Sequence, residues 1–456
     1  MMFLRKNIGI PIAEKVTGLP VRRYLYDLLK TQWLKPNEIR EIQNKKLVAL
    51  IKHAYETVPF YKKIMDDRGL KPMDIQTVDD LWKFPILTKE IIRANYPAKI
   101  ISTKFDKSQL IETSSSGSTG EPFRYVLSKD EKARKWAGLY RFWNWAGYEM
   151  GDKYVNLTLA PPRAFKSNII WQFLENRYSG VLGLAASSLY EGNAVDFLMQ
   201  IVDFKPKMLR GYASSIYYIA QIAREQGLQI NVDTVCTTGE TLFDFQRESI
   251  SNFYHCKVYD GYGGEGMEIA AQCGFGNSYH VNAESLILET VDLNGNPCDE
   301  GAEGQVVLTN LNHYSMPFIR YNIQDIAILS ERQCACGMGL PVLERISGRL
   351  TDIGVTPSGK SIVVHFFTGM FMKLAPKVTS FQVVQEKPDL FVLNIVPGDG
   401  FDAVKDEIVS KTQDYVGNDV KVELKILEDI PTTKGGKRRL FISKCGLKAA
   451  GLDLND

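Results

Sequence analysis

No window of the chain reaches the roughly 18 uncharged apolar residues that a membrane-spanning helix requires. The opening stretch, Met1–Val16, is interrupted by Pro11 and Glu14. It has no small-residue cleavage signature of a secretory leader. Net charge is nearly absent, with 55 Lys+Arg against 53 Asp+Glu, and no arginine-rich arm stands out. That balance argues against nucleic acid as the main partner, because phosphate neutralisation demands a basic surface. Cysteines are few and odd in number, seven in 456 residues. Without a leader, this suits a reducing cytosol better than a disulfide framework. A cytoplasmic, multidomain protein handling small molecules is expected, since the length exceeds one ordinary core.

The patterning is informative. Apolar residues at Ile39, Ile42, Leu47, Leu50, Ile51, Ala54 and Val58 predict an amphipathic helix over 37–58, started by Pro36-Asn37. Short strand-like runs at Lys207–Leu209, Asp233–Thr237 and Lys257–Tyr259 alternate with helix-like segments near 215–225 and 243–253. Such alternation predicts a parallel sheet whose strand ends present loops on one edge. From about 281, two antiparallel strands joined by an Asn-Gly turn are expected. After about 349 the style changes to a small α+β unit. It has strands at Phe391–Val396 and Val422–Leu427 and a helix over Asp402–Val416, stopped by Gly417.

Several stretches could carry chemistry. "SSSGSTGEP", Ser114–Pro122, offers hydroxyls and backbone N–H groups to a polyphosphate. It lacks the Gly-Lys-Ser/Thr of a P-loop, because Glu121 follows Gly120. Gly261–Gly266 formally satisfies G-x-G-x-x-G, yet Glu265 among the glycines suits a carboxylate that holds Mg²⁺ on phosphate. Further along lie Asp325 in an apolar run, Arg349 with Asp352, and Lys437 on a glycine turn. Taken singly, these read as a strand-end turn residue, a surface ion pair and a solvated basic hairpin.

Their order resembles the adenylate-forming superfamily of acyl-CoA synthetases, most closely its phenylacetate–CoA ligase-like and capsule-biosynthesis branch. The family's hydroxyl-rich triphosphate loop is matched by Ser115, Ser116, Gly117, Ser118, Thr119 and Gly120, followed by Glu121-Pro122. Its magnesium carboxylate is matched by Glu265, with Tyr262 and Gly263 on the adenine side. Its ribose aspartate is matched by Asp325, its hinge by Arg349, Thr351 and Asp352, and its C-terminal lysine by Lys437. "TTGETL" adds Gly239 and Glu240 to the nucleotide side, and "RGYASS" adds Tyr212 as an acyl-pocket residue. Asn322 stands where the family usually has arginine, and Thr351 where it has an acid.

The resemblance implies an α/β fold. A large domain over 1–348 would hold parallel and antiparallel sheets behind a helical segment of about 1–100. A small mobile α+β lid over 349–456 would carry Lys437. It also implies ATP, Mg²⁺ and coenzyme A, with a small carboxylic acid made into an acyl-AMP and passed to a thiol. An amine acceptor in surface-polysaccharide assembly is the alternative within the class. A nucleotide-binding protein that has lost its chemistry is the alternative outside it, and an NAD-type oxidoreductase on "GYGGEG" stands third. No membrane span is expected, and a homodimer is allowed for.

Cys273, His280, Cys334 and Cys336 form C-x6-H…C-x-C. Three thiolates and one imidazole make a closed tetrahedral zinc set of the structural kind. His365, in "IVVHFF", reads as a core residue of a strand-like run. The aromatic series around Trp136, Tyr140 and Trp145 reads as helix packing.

Overall fold

The computed structural model describes residues 2–115, 123–158, 180–186, 189, 194–292, 294–330, 332–349, 353–358, 360–374, 377–431 and 439–445. The expected helix runs Pro36–Thr57. Proline occupies its first turn, and the Glu38 carboxylate accepts the Lys35 backbone N–H at 2.8 Å. Its apolar stripe, Ile39, Leu47, Leu50, Ile51 and Ala54, is fully buried. Helix Lys129–Trp145 starts with a reciprocal cap. Ser128 Oγ accepts the Glu131 N–H, and the Glu131 carboxylate accepts the Ser128 N–H.

A hairpin of β1 (Ile111–Ser115) and β2 (Phe123–Leu127) precedes the main sheet. Five parallel strands follow: β3 (Tyr154–Thr158), β4 (Val181–Ala185), β5 (Met208–Gly211), β6 (Thr234–Thr238) and β7 (Lys257–Gly264). The antiparallel part comprises β8 (Met267–Gln272), β9 (Tyr279–Val281), β10 (Leu286–Val291), β11 (Glu303–Asn310), β12 (Tyr321–Ser330) and β13 (Val342–Arg349). The order across the sheet is β10-β11-β12-β13-β9-β8-β7-β6-β5-β3-β4. Successive side chains of the parallel strands point to opposite faces. Val155, Leu209 and Val235 meet the helices Ala194–Phe204, Ala213–Glu225 and Asp244–Tyr254. Tyr154, Met208 and Cys236 meet the aromatic face of helix Lys129–Trp145, so Trp136, Tyr140 and Trp143 are packing residues.

A second unit with its own core follows. β14 (Ile353–Val355) and β15 (Ser361–Val363) form a hairpin. β16 (Val378–Lys387), β17 (Leu390–Pro397), β18 (Lys421–Ile426) and β19 (Phe441–Ser443) form a four-stranded sheet, with helix Lys405–Val416 ended by Gly417. Phe367, Val383, Phe391, Leu393 and Ile408 fill its interior.

Three expectations require correction. The Asn294-Gly295 turn does not join β10 to β11. It closes a small loop in which the Asp292 N–H donates to the Asn296 carbonyl and Val291 bridges Pro297, and the chain then continues to Glu303. His365 lies in helix Val364–Lys373, because the apolar run is cut after Val363. Asp325 sits mid-strand in β12 and is no strand-end turn residue.

Candidate active site

β7 is where the parallel half of the sheet meets the antiparallel half. In open α/β sheets, ligands bind beyond the carboxyl ends of the strands at such a change in topology. Tyr212 follows β5, Gly239 and Glu240 follow β6, and Tyr262, Gly263 and Glu265 close β7. The two neighbouring loops are joined, since the Glu240 carboxylate accepts the Ser214 backbone N–H at 3.0 Å. Tyr212 itself is buried at the start of helix Ala213–Glu225. The glycine-rich stretch ends a strand and turns straight into β8 without opening a helix. A dinucleotide fingerprint needs that helix, so the oxidoreductase reading fails.

The turn itself is unusual. Glu265 has φ +49° and Gly266 φ +79°, and a non-glycine residue in the left-handed region carries strain. A Cβ at position 266 would stand 2.4 Å from the Tyr125 hydroxyl, so only glycine fits against β2. The Glu265 side chain is buried. Its Oε1 meets Lys89 Nζ at 2.7 Å, and its Oε2 has no hydrogen-bond partner among the described residues. Burial pushes the Tyr125 phenol up to about 12, and the carboxylates of Glu265 and Glu268 add to the effect.

Tyr262 donates its hydroxyl hydrogen to Asp325 Oδ2 at 2.7 Å. β8, β9 and β13 lie between β7 and β12 in the sheet, which in a flat sheet would separate them by about 19 Å. The contact therefore requires the antiparallel half to curl over. Ile323 of β12 supports this, because its Cδ1 would stand 2.7 Å from a Cβ built on Gly264. Asp325 pairs in register with Arg349 of β13. Asn322 is turned inward, its amide donating to Gln305 Oε1 at 2.7 Å.

The structure thus brings Glu265, Tyr262, Gly263 and Asp325 into one locality, with the backbone of Arg349 alongside. Ser115 ends β1, opposite Phe123. The rest of the hydroxyl-rich loop, Ser116, Gly117, Ser118, Thr119 and Gly120, lies outside the described residues, as do Thr351, Asp352 and Lys437. The β1–β2 stem nevertheless stands at the site: Tyr125 touches the Glu265–Gly266 turn, and Phe123 stacks on Tyr321 of β12 at 6.0 Å. Sequence reasoning missed Lys89 and Tyr125. Lys89 opens the helix Lys89–Asn95 after the N-cap Thr88, and a search for a cation to match a buried Glu265 was the one signal available.

A second cluster lies apart from these residues. Cys273 follows β8, His280 sits in β9, and Cys334 and Cys336 lie on the approach to β13. Their ligand atoms all lie within 4.8 Å of one another. Cys273 Sγ is 3.7 Å from Cys334 Sγ, and Cys336 Sγ is 3.2 Å from His280 Nε2. Burial raises the Cys273 thiol to about 12 and lowers the His280 imidazole, which the Leu340 carbonyl partly opposes. All seven cysteines are free thiols.

A family model described as the CapK C-terminal domain matches residues 355–444, the second unit. Protein CapK of Staphylococcus aureus is 25% identical over 425 residues, spanning 89% of this chain and 90% of the relative. A phenylacetate–coenzyme A ligase of Thermus thermophilus is 23% identical over 439 residues, spanning 89% and 96%. The likeness to CapK and to phenylacetate–coenzyme A ligases runs over most of the chain and marks it as an enzyme, a ligase. Its fold is that of a 2-hydroxyisobutyryl-CoA ligase solved in the postadenylation state with R3-HIB-AMP. The TM-score is 0.74 at 19% identity, covering 92% of this chain and 93% of the other. Among the described residues no helix is long and apolar enough to cross a membrane.

Proposed function

We propose that this ligase converts a small carboxylic acid and ATP into an acyl-adenylate and pyrophosphate, then passes the acyl group to the thiol of coenzyme A. The observation that carries the reading is the meeting of the Glu265 turn, the Tyr262–Asp325 pair and the β1–β2 stem at the carboxyl end of β7. The names of the phenylacetate–CoA ligase relatives support the acid and the thiol. In the first step the acid's carboxylate attacks the α-phosphorus in line, and the bond to the β-phosphate oxygen breaks as pyrophosphate leaves. In the second, the thiolate attacks the acyl carbonyl and AMP departs.

Each residue then has a task. The hydroxyls and N–H groups of Ser115–Gly120 hold the phosphates, with Gly239 and Glu240 beside them. Tyr262 and Asp325, tied to each other, orient adenosine from its base and ribose sides. Glu265 would hold Mg²⁺ with ATP: its buried Oε2, unpartnered among the described residues, is the hard oxygen such an ion favours. When bound, Mg²⁺ supplies charge neutralisation at the phosphates. Lys437 bridges carboxylate and α-phosphate, where negative charge accumulates, and Tyr212 lines the acyl pocket. Lys437 belongs to the small domain, which turns about Arg349, Thr351 and Asp352 to exchange it for the acceptor. Lys437→Ala should bind ATP normally yet form acyl-adenylate about 10²–10³-fold more slowly, the usual cost of one such contact. Undiminished pyrophosphate release by that variant would defeat the reading.

The CapK likeness favours one second reading, in which the acceptor is an amine and the product an amide. A pyrophosphate-release screen over carboxylic acids, with coenzyme A or with amino sugars, separates the two by which acceptor turnover requires.

We also propose Zn²⁺ at Cys273, His280, Cys334 and Cys336. Thiolates 2.3 Å from a tetrahedral zinc lie about 3.8 Å apart, and the Cys273–Cys334 separation is 3.7 Å. With three thiols and one imidazole the set is closed. The ion would therefore fasten β8, β9 and the approach to β13 without taking part in the reaction.

A further inference from the structure

Fourteen large apolar side chains are strongly exposed among the described residues, and five of them fall within Phe3–Val16. Phe3, Leu4, Ile8, Ile12 and Val16 belong to one continuous helical stretch, Met2–Thr17, closed by Gly18 in the left-handed region. From Leu4 onward they recur every fourth residue. In a 3.6-residue helix each such step advances about 40° around the axis. The stretch Arg5–Gly9 is a wider π turn, which offsets part of that advance and keeps the four on one side. Exposure reaches 74% at Phe3 and 79% at Val16, so none of this stripe serves the fold.

The opposite side is what the body holds. Ile10, Pro11 and Glu14 are half-buried. Lys6 pairs with Glu149, and Ile10 lies against Gly151. The Glu14 carboxylate accepts both the backbone N–H and the side-chain Nε–H of Arg22, each at 2.7 Å. The apolar edge is thus presented outward on a braced mount.

Charge is distributed to match. Residues 1–30 hold Arg5, Lys6, Lys15, Arg22, Arg23 and Lys30 against Glu14 and Asp27, a net +4. The whole chain is +2, so the remaining residues sum to −2. Arg5 and Lys6 face the body and Arg22 is held by Glu14, which leaves Lys15, Arg23 and Lys30 exposed beside the stripe. An outward-facing apolar helix flanked by exposed cations is the arrangement that lies in the headgroup region of an anionic bilayer. We propose that Met2–Thr17 docks this ligase on anionic lipid surfaces, its stripe entering the acyl boundary while the exposed Lys15, Arg23 and Lys30, which no carboxylate of the described residues pairs, meet the headgroups.

The test is co-sedimentation of the full chain with phosphatidylcholine vesicles, with and without phosphatidylglycerol, at low and high ionic strength. Wild type should pellet with the anionic vesicles and be released by salt. It should pellet at least about tenfold less with the neutral ones, a contrast that little more than one basic residue at the surface provides. Ile12→Glu with Val16→Glu, both at exposed positions, should stay in the supernatant while melting at the wild-type temperature. Wild type left in the supernatant, or a double variant that pellets like wild type, overturns the proposal. So does a wild-type dimer that the double variant dissolves without any vesicle binding, which would make the stripe a contact between copies.

Discussion

Glu265 unites three features that sequence reasoning meets separately: a left-handed backbone, a buried carboxylate and a partner from a distant helix. Removing one member of a buried ion pair strands the other without compensation, at about 3–5 kcal/mol. Lys89 keeps some exposure, 14% against 6% for Glu265. Lys89→Met should therefore sit near the lower end, about 3 kcal/mol by urea unfolding of the nucleotide-free protein. Adding ATP with Mg²⁺ should restore most of it, since the ion would take over Lys89's electrostatic role at Glu265. An equal deficit with and without nucleotide would detach Glu265 from the metal. The Tyr262–Asp325 bond makes a milder claim. Tyr262→Phe should leave the fold intact and weaken ATP binding about tenfold, the worth of a hydrogen bond to a charged group, measured as KM for ATP. Glu265, Tyr262 and Asp325 were legible because each lies in a short ordered motif. Lys89 was not, because "LTKEII" carries no signature and its role arises only when the chain folds back on the β7–β8 turn.

Elements were legible where periodicity was strong. The helix at Pro36–Thr57 and the strand-helix alternation from β5 to β7 follow from buried stripes with clear ends. Two local signals misled. Asn294-Gly295 does turn the chain, but within a longer connection, and "IVVHFF" changes from strand to helix inside one apolar run that periodicity cannot divide. The polar joints between elements were also invisible. Arg141 of helix Lys129–Trp145 is fully buried and donates to Glu284 Oε1 at 2.8 Å and to Asn282, with Thr31 also donating to Glu284. Burial pushes the Glu284 carboxyl up, but Arg141 and these donors prevail and hold it below the ordinary range. A depressed carboxyl contributes stability that is present above its unfolded value and lost as pH falls through the folded one. Glu284→Gln should be about 3 kcal/mol less stable than wild type at neutral pH. The two unfolding curves should draw together as pH falls below the ordinary carboxyl value of 4.5 and through the lower folded one, and a constant gap across that range would show that the ionised pair is not the joint. The thiol cluster acts at the same scale. Purified protein should carry about one zinc per chain, and Cys336→Ser should lose it together with several degrees of melting temperature, at roughly 2–4 °C per kcal/mol. Protein purified with well under one zinc would count against the site.

The molecule as a whole divides where the sequence changes style. β13 ends at Arg349, and the next described strand begins a unit with a separate core. The separate C-terminal unit was readable from the change in strand and helix patterning after about 349, and the α/β class from the strand-helix alternation before it. The curl that lets β12 reach β7 was not, because it depends on how far six antiparallel strands coil and no local pattern records that. If the second unit turns between two half-reactions, Thr351 and Asp352 must take up the change in backbone dihedrals, as hinge residues do. Proline fixes φ near −65° and biases the residue before it toward extended conformations. Asp352→Pro would therefore hold one arrangement without touching Glu265, Asp325 or Lys437. ATP–pyrophosphate exchange reports the first half-reaction alone and should stay within about threefold of wild type. Overall acyl transfer should fall by about a hundredfold or more if positioning of the acceptor is lost. Equal losses in both assays would mean the segment serves adenylation itself. Full transfer by the variant would mean that the acceptor reaches the acyl group with the small domain in a single position.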